Sequence, residues 1–147
     1  MKGSNLKYKV LFVFCMVGSS MLIGQNKTID SLTNSLKTSK QDTIRVIALC
    51  YLCHECRIIG DYENAISYGK QALQLANQLN YMRGVSHAYN NMGNVYYKQS
   101  NFPEALKSHN AALKIKQELN DKRGIAESYH NIGAIYDKLG DYIKALE

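Results

Sequence analysis

Tryptophan is absent from this chain of 147 residues, proline occurs once and phenylalanine three times, which argues against a sheet-rich domain full of tight turns. Cysteine is scarce as well. Cys50, Cys53 and Cys56 crowd into seven residues and Cys15 lies near the N-terminus, so no disulfide framework can span the chain. There is no nucleophile elbow, no P-loop, no HExxH, and no carboxylate pair whose spacing sets it apart from a solvated helix face. His87, His109 and His130 read as surface or groove residues, and Glu104, Glu118 and Glu127 as members of exposed faces. The sequence therefore predicts a protein that is not an enzyme.

An unbroken apolar run long enough to span a bilayer is also missing. The first 24 residues carry Lys2, Lys7 and Lys9, then the apolar stretch Val10 to Val17, then Gly18-Ser19-Ser20, which is the layout of a secretory signal peptide. A spanning helix needs about 20 apolar residues, and this stretch falls short. Phe14 before Cys15 argues against a lipoprotein signal. The expected protein is exported, periplasmic or facing the periplasm. Removing the leader leaves 15 basic residues against 12 acidic ones, so much of the formal charge of +6 belongs to the targeting segment. No Lys/Arg cluster remains, and nucleic acid is excluded as the expected partner.

What the chain does have is repetition. Tyr89-Asn90-Asn91-Met92-Gly93-Asn94-Val95-Tyr96 returns forty residues later as Tyr129-His130-Asn131-Ile132-Gly133-Ala134-Ile135-Tyr136. Gly60-Asp61-Tyr62-Glu63-Asn64-Ala65 returns as Ser100-Asn101-Phe102-Pro103-Glu104-Ala105 and again as Gly140-Asp141-Tyr142-Ile143-Lys144-Ala145. A fixed period of this size means stacked supersecondary units, none of which buries its apolar face alone. Tyr89, Met92, Val95 and Tyr96 form one helical stripe, and Ala105, Leu106, Ala112, Leu113 and Leu119 form another. Pro103 suits a first helical turn, and Asp61, Asn101 and Asp141 suit N-caps. Gly60, Ser100 and Gly140 suit the left-handed residue that ends the preceding helix, with Ser100 the least comfortable there. Gly93 and Gly133 on helix A, with Ala65, Ala105 and Ala145 on helix B, let paired helices approach closely. The expected helices cover 42–59, 62–80, 82–99, 102–120 and 122–139, with a last one from 142.

These residues resemble the tetratricopeptide repeat (TPR) family, in its forty-residue-period, exported bacterial form. Tyr89-x2-Met92-Gly93-x2-Tyr96 with Ala105, and Tyr129-x2-Ile132-Gly133-x2-Tyr136 with Ala145, follow its pattern. The chain departs from that pattern in placing tyrosine for tryptophan, His109 and Gly69 where an aromatic is expected, and a period of 40 where 34 is usual. HEAT, armadillo and WD40 units have similar lengths, but the Gly-Asp-Tyr turn register and the absence of Trp-Asp or strand alternation disfavour them. The resemblance implies an all-α fold, a right-handed α-solenoid of antiparallel helix pairs with about two and a half to three repeats. The layout is a signal peptide over 1–24, a linker or short capping helix over 25–41, and repeats over 42–81, 82–121 and an incomplete 122–147.

The resemblance also implies that helix A of each repeat lines a concave groove for a peptide or protein partner. Asn90, Asn91, Asn94, Tyr97, Lys98, His130 and Asn131 are the expected groove residues, because a column of carboxamides can hydrogen-bond an extended main chain without demanding charge. A cationic clamp for a chain end is not evident, since Cys50, Asn90 and His130 stand where lysine would be wanted. The alternative reading is the extracytoplasmic sensor region of a truncated membrane histidine kinase, with the membrane reached only through a missing C-terminal segment. The abrupt stop at Ala145-Leu146-Glu147, one turn into a helix, supports the expectation of a fragment.

One motif competes. Cys50-Tyr51-Leu52-Cys53-His54 has the C-x-x-C-H spacing of covalent haem attachment, and on a helix the three ligating residues fall within about 100° of arc. The repeat register offers a simpler account: Cys53 takes the slot of Gly93 and Gly133, and Cys56 that of Tyr96 and Tyr136, so both read as core. A zinc site from Cys50, Cys53, His54 and Cys56 would need ligands spread over about 160° to converge on one ion. No cofactor and no metal are expected.

Overall fold

In the computed structural model, residues 27–34, 36 and 42–140 are described; the expected signal peptide and the last turn with Asp141, Tyr142 and Ala145 lie outside them. Every regular element among the described residues is helical. A short helix, α1, covers residues 27–34. It is followed by α2 (Thr43–Ile58), α3 (Tyr62–Gln78), α4 (Met82–Lys98), α5 (Phe102–Glu118) and α6 (Lys122–Leu139). These bounds fall within one or two residues of those read from the repeat.

Punctuation explains the regularity. Positive φ occurs at Gly60, Asn80, Ser100, Asn120 and Gly140, one residue in every twenty. Each stops a helix by turning its last carbonyls to the following amides, as where the Asp61 and Asn101 N–H groups donate to the Cys56 and Tyr96 carbonyls. After Gly60, Ser100 and Asn120 the next residue then caps the following helix. The side chains of Asp61, Asn101 and Asp121 accept from the amides of Asn64, Glu104 and Gly124, and Asp42 does the same for Arg45 at the start of α2. Asp42 and Asp121 extend the caps expected from sequence; of α2 to α6, the helix after Tyr81 alone lacks a side-chain cap. Each cap is worth about 1 kcal/mol.

Consecutive helices pack antiparallel, and α2 also packs on α4, which makes α2, α4 and α6 the A helices and α3 and α5 the B helices of a solenoid. The fold is an all-α solenoid of helix pairs. Its core runs continuously between repeats: Val46, Leu49 and Leu52 from α2 meet Ala72, Leu75 and Ala76 from α3 and Val85 and Ala88 from α4. Burying a leucine or valine side chain this fully contributes about 1.5–3 kcal/mol, and no single hairpin holds enough of them to stand alone. Ile29 and Leu32 of α1 pack onto the same cluster, and the Arg45 guanidinium donates to the Leu36 carbonyl, tying the N-terminal segment to α2.

Ser100 carries the strain of this scheme, at φ 58 without the freedom of glycine. Ser100→Gly should raise the unfolding free energy by about 0.5–1 kcal/mol, read as a higher urea midpoint at unchanged slope.

A carboxamide-lined groove as the candidate functional site

Small and large residues trade places between the first two repeats. In the second, Gly93 lies under the His109 ring, so close that a Cβ there would meet its atoms at 2.8 Å. In the first, the corresponding pair is reversed: Cys53 stands in the glycine slot of α2 and Gly69 in the imidazole slot of α3, with Met92 of α4 reaching in to fill the space. The departures at positions 53, 69 and 109 therefore compensate one another across the helix A–helix B contact.

His109 is thus a buried residue, 1% exposed, and not a surface side chain; of the two places expected from sequence it takes the groove side, under one of its cavities. Its Nδ1 has no hydrogen-bond partner among the described residues. Burial, reinforced by the positive charge of Lys116, lowers its pKa to about 4, so the ring is neutral at pH 7.

Glu127 also departs from the expectation of a plain surface residue. Its carboxylate is half exposed, yet it holds the ammonium of Lys116, only 3% exposed, at 3.2 Å. Lys116 Nζ also donates to the buried Ser128 hydroxyl, and Asn90 Nδ2 donates to the other Glu127 oxygen at 3.1 Å. Asn131 Nδ2 adds a 3.4 Å contact to Asn90 Oδ1, completing a polar chain that joins α4, α5 and α6. At the preceding interface the equivalent slots hold Ala76 and Ala88, both fully buried. The signal was present in the repeat alignment, as a lysine at 116 and a serine at 128 where the previous copy is apolar.

Asn90 is consequently only 8% exposed and turned into this interface, which removes it from the groove surface. Asn91 and Asn131, one period apart, share a role: each donates back to the residue 41 positions earlier, Asn91 to the Cys50 carbonyl at 3.0 Å and Asn131 to the Asn90 side chain. The column stitches successive A helices together and leaves each carboxamide with further hydrogen-bonding valences. Asn94, Tyr97, Lys98, His130 and Asn131 converge on one cavity of about 290 Å³, joined by Arg57 and His109. Asn91 borders a neighbouring cavity of about 340 Å³ with Val46, Ile47, Tyr51, Tyr81 and His87. The expected groove set missed Ile47, Tyr51, Tyr81 and Arg57. Gly84, which admits the Tyr81 ring, was also missed, although Arg83-Gly84 recurs as Arg123-Gly124.

The C-x-x-C-H residues do not converge. Cys50 and His54 border the larger cavity, whereas Cys53 is fully buried and faces Gly69 across the α2–α3 contact, so the set does not fit a covalent haem. Burial pushes the Cys50 and Cys53 thiols up to about 12 and Cys56 to about 11, which suits inert packing groups. Among the described residues no group of three His, Cys, Asp or Glu side chains is arranged to hold a metal ion, and no helix is long and apolar enough to cross a membrane.

Helix pairs of this kind, stacked in succession, define a TPR-like repeat fold. Residues 84–147 match the family model for the tetratricopeptide repeat. Among solved structures, the chain is similar to the TPR domain of Arabidopsis FLU, with 28% identity, a TM-score of 0.64, and coverage of 68% of this chain and 84% of that one. It is similar to BtubC (BKLC) from P. vanneervenii at 25% identity and a TM-score of 0.74, covering 82% of this chain and 52% of that one. A Rap protein complexed with competence and sporulation factor shares the fold at 24% identity and a TM-score of 0.74; 83% of this chain matches 34% of that one. The chain thus spans about half of BtubC and about a third of the Rap protein. No curated protein matches it significantly. The TPR fold generally serves as an interaction scaffold, which suggests a protein–protein interaction module.

Two outcomes check this geometry. His109 binds its proton less readily in the folded state than at its ordinary value of 6.5, so its contribution to stability is complete above pH 6.5 and is lost as pH falls from there towards about 4. The loss is on the order of 3 kcal/mol, and His109→Phe should remove that part of the acid slope in thermal melts. At the polar chain, Glu127→Ala strands a buried ammonium and should cost about 3 kcal/mol, whereas Lys116→Met leaves only a half-exposed carboxylate and should cost far less in urea titrations.

Proposed function

We propose that this protein is an exported, non-enzymatic module that holds an extended peptide or protein segment in the concave groove of α2, α4 and α6. The observation that carries the reading is the pair of adjoining cavities along the inner faces of the A helices, with Asn91, Asn94 and Asn131 on their walls. An extended chain presents N–H and C=O groups alternately, and a carboxamide can answer either. Because Asn91 and Asn131 are already anchored by their inter-repeat bonds, little rotamer entropy is lost when a ligand meets them, which favours affinity. Export rests on the lysine-flanked apolar leader.

Peptides selected by display against the full chain should perturb the NMR side-chain amide signals of Asn91, Asn94 and Asn131. Asn94→Ala should weaken them by about threefold to tenfold while leaving the melting temperature near that of the parent. Shifts confined to the outer faces of α3 and α5 would place the binding surface elsewhere and end the groove reading.

A further inference from the structure

The two cavities of the groove differ in chemistry. The larger is walled by Val46, Ile47, Tyr51 and Tyr81, and Ile47 and Tyr51 are 43% and 59% exposed, so apolar surface is open to a ligand there. The smaller is bordered by Arg57, Lys98, Asn94, Asn131 and His130, and among the described residues no carboxylate lines it. Neither Arg57 nor Lys98 is ion-paired among the described residues. His109, 1% exposed and with an unpartnered Nδ1, forms the floor of the same cavity. A pocket with two uncompensated cations, hydrogen-bond donors and no anion complements an acidic group.

We infer that the groove selects peptides in which an aromatic or large aliphatic residue enters the first cavity and an Asp or Glu side chain enters the second. This rests on the peptide-binding reading above and adds the chemistry of its ligand. The helices also set the spacing. On α4 the first cavity is bordered by Gly84, His87 and Asn91 and the second by Asn94, Tyr97 and Lys98, so their centres lie about nine residues apart along the axis. At 1.5 Å per residue this is ~13 Å, which an extended chain covers in ~4 residues. His54 and Arg57 mark the same boundary on α2, one turn apart. The acidic residue therefore belongs about four positions from the apolar anchor. It acts through its side chain, so a free chain end is not required.

The test uses isothermal titration calorimetry of the full chain with short Ser/Gly-based peptides, acetylated and amidated so that one Glu is the sole anion, carrying one Phe at varied distance from it. The four-residue spacing should bind best, and Glu→Gln in the peptide should weaken it at least tenfold. Arg57→Glu combined with Lys98→Glu should abolish that preference or transfer it to a Lys peptide. Lys114→Glu combined with Lys122→Glu, which changes the net charge equally at exposed positions elsewhere, should retain it. Equal binding of the Glu and Gln peptides, or an undiminished Glu preference in the Arg57/Lys98 variant, overturns the acidic specificity while leaving peptide binding in place. Preference for a free C-terminal carboxylate over the Glu side chain also overturns it. Failure of every peptide, the display-selected ones included, to bind would remove both readings.

Discussion

Close approach between helix A and helix B of one repeat is the constraint from which the rest of this structure follows. Two seventeen-residue helices such as α4 and α5 bury their apolar stripes only if one of them offers a gap and the other fills it. Gly93 with His109 is one solution; Cys53 with Gly69, completed by Met92, is the reverse. The second solution borrows a side chain from the following repeat, so the first pair is not finished without the second. Dependence of this sort turns a row of hairpins into one cooperative body.

Polar groups then decide how successive repeats sit on one another. Between the first and second, alanines 76 and 88 allow plain apolar contact. Between the second and third, Lys116 and Ser128 replace them, and the desolvated ammonium is answered by Glu127, which in turn orients Asn90. An apolar interface tolerates sliding, whereas a chain of directional bonds has one low-energy register. The groove inherits that definition, because Asn131 is held on Asn90 and Asn91 on the Cys50 carbonyl. Residues that looked like candidates for ligand contact also position the wall that makes contact possible.

Helix limits were readable because turn chemistry is local. Gly60, Ser100 and Gly140, each followed by Asp or Asn, could be found by alignment alone, since a positive φ and a cap involve neighbours in the chain. Asn80 and Asn120 at the other helix ends obey the same rule but sit in links without glycine, and the half-period of twenty emerged only with the backbone. The site was less accessible. His109 was visible as a departure from an aromatic slot, but its burial depends on Gly93, sixteen positions away, being directly beneath it. Asn90 and Asn91 are adjacent in sequence and look alike, yet 100° of helical rotation sends one into the interface and keeps the other at the groove.

Periodicity, capping and the two helical stripes were set by the order of residues, because each depends on side chains within one turn or on a repeat that can be counted. Which cysteines, histidines and asparagines face the core, which face the groove, and which cations are left uncompensated were settled by packing. Those properties depend on residues 11 to 41 positions apart meeting across helices, and on the volume and charge that their particular neighbours leave unfilled.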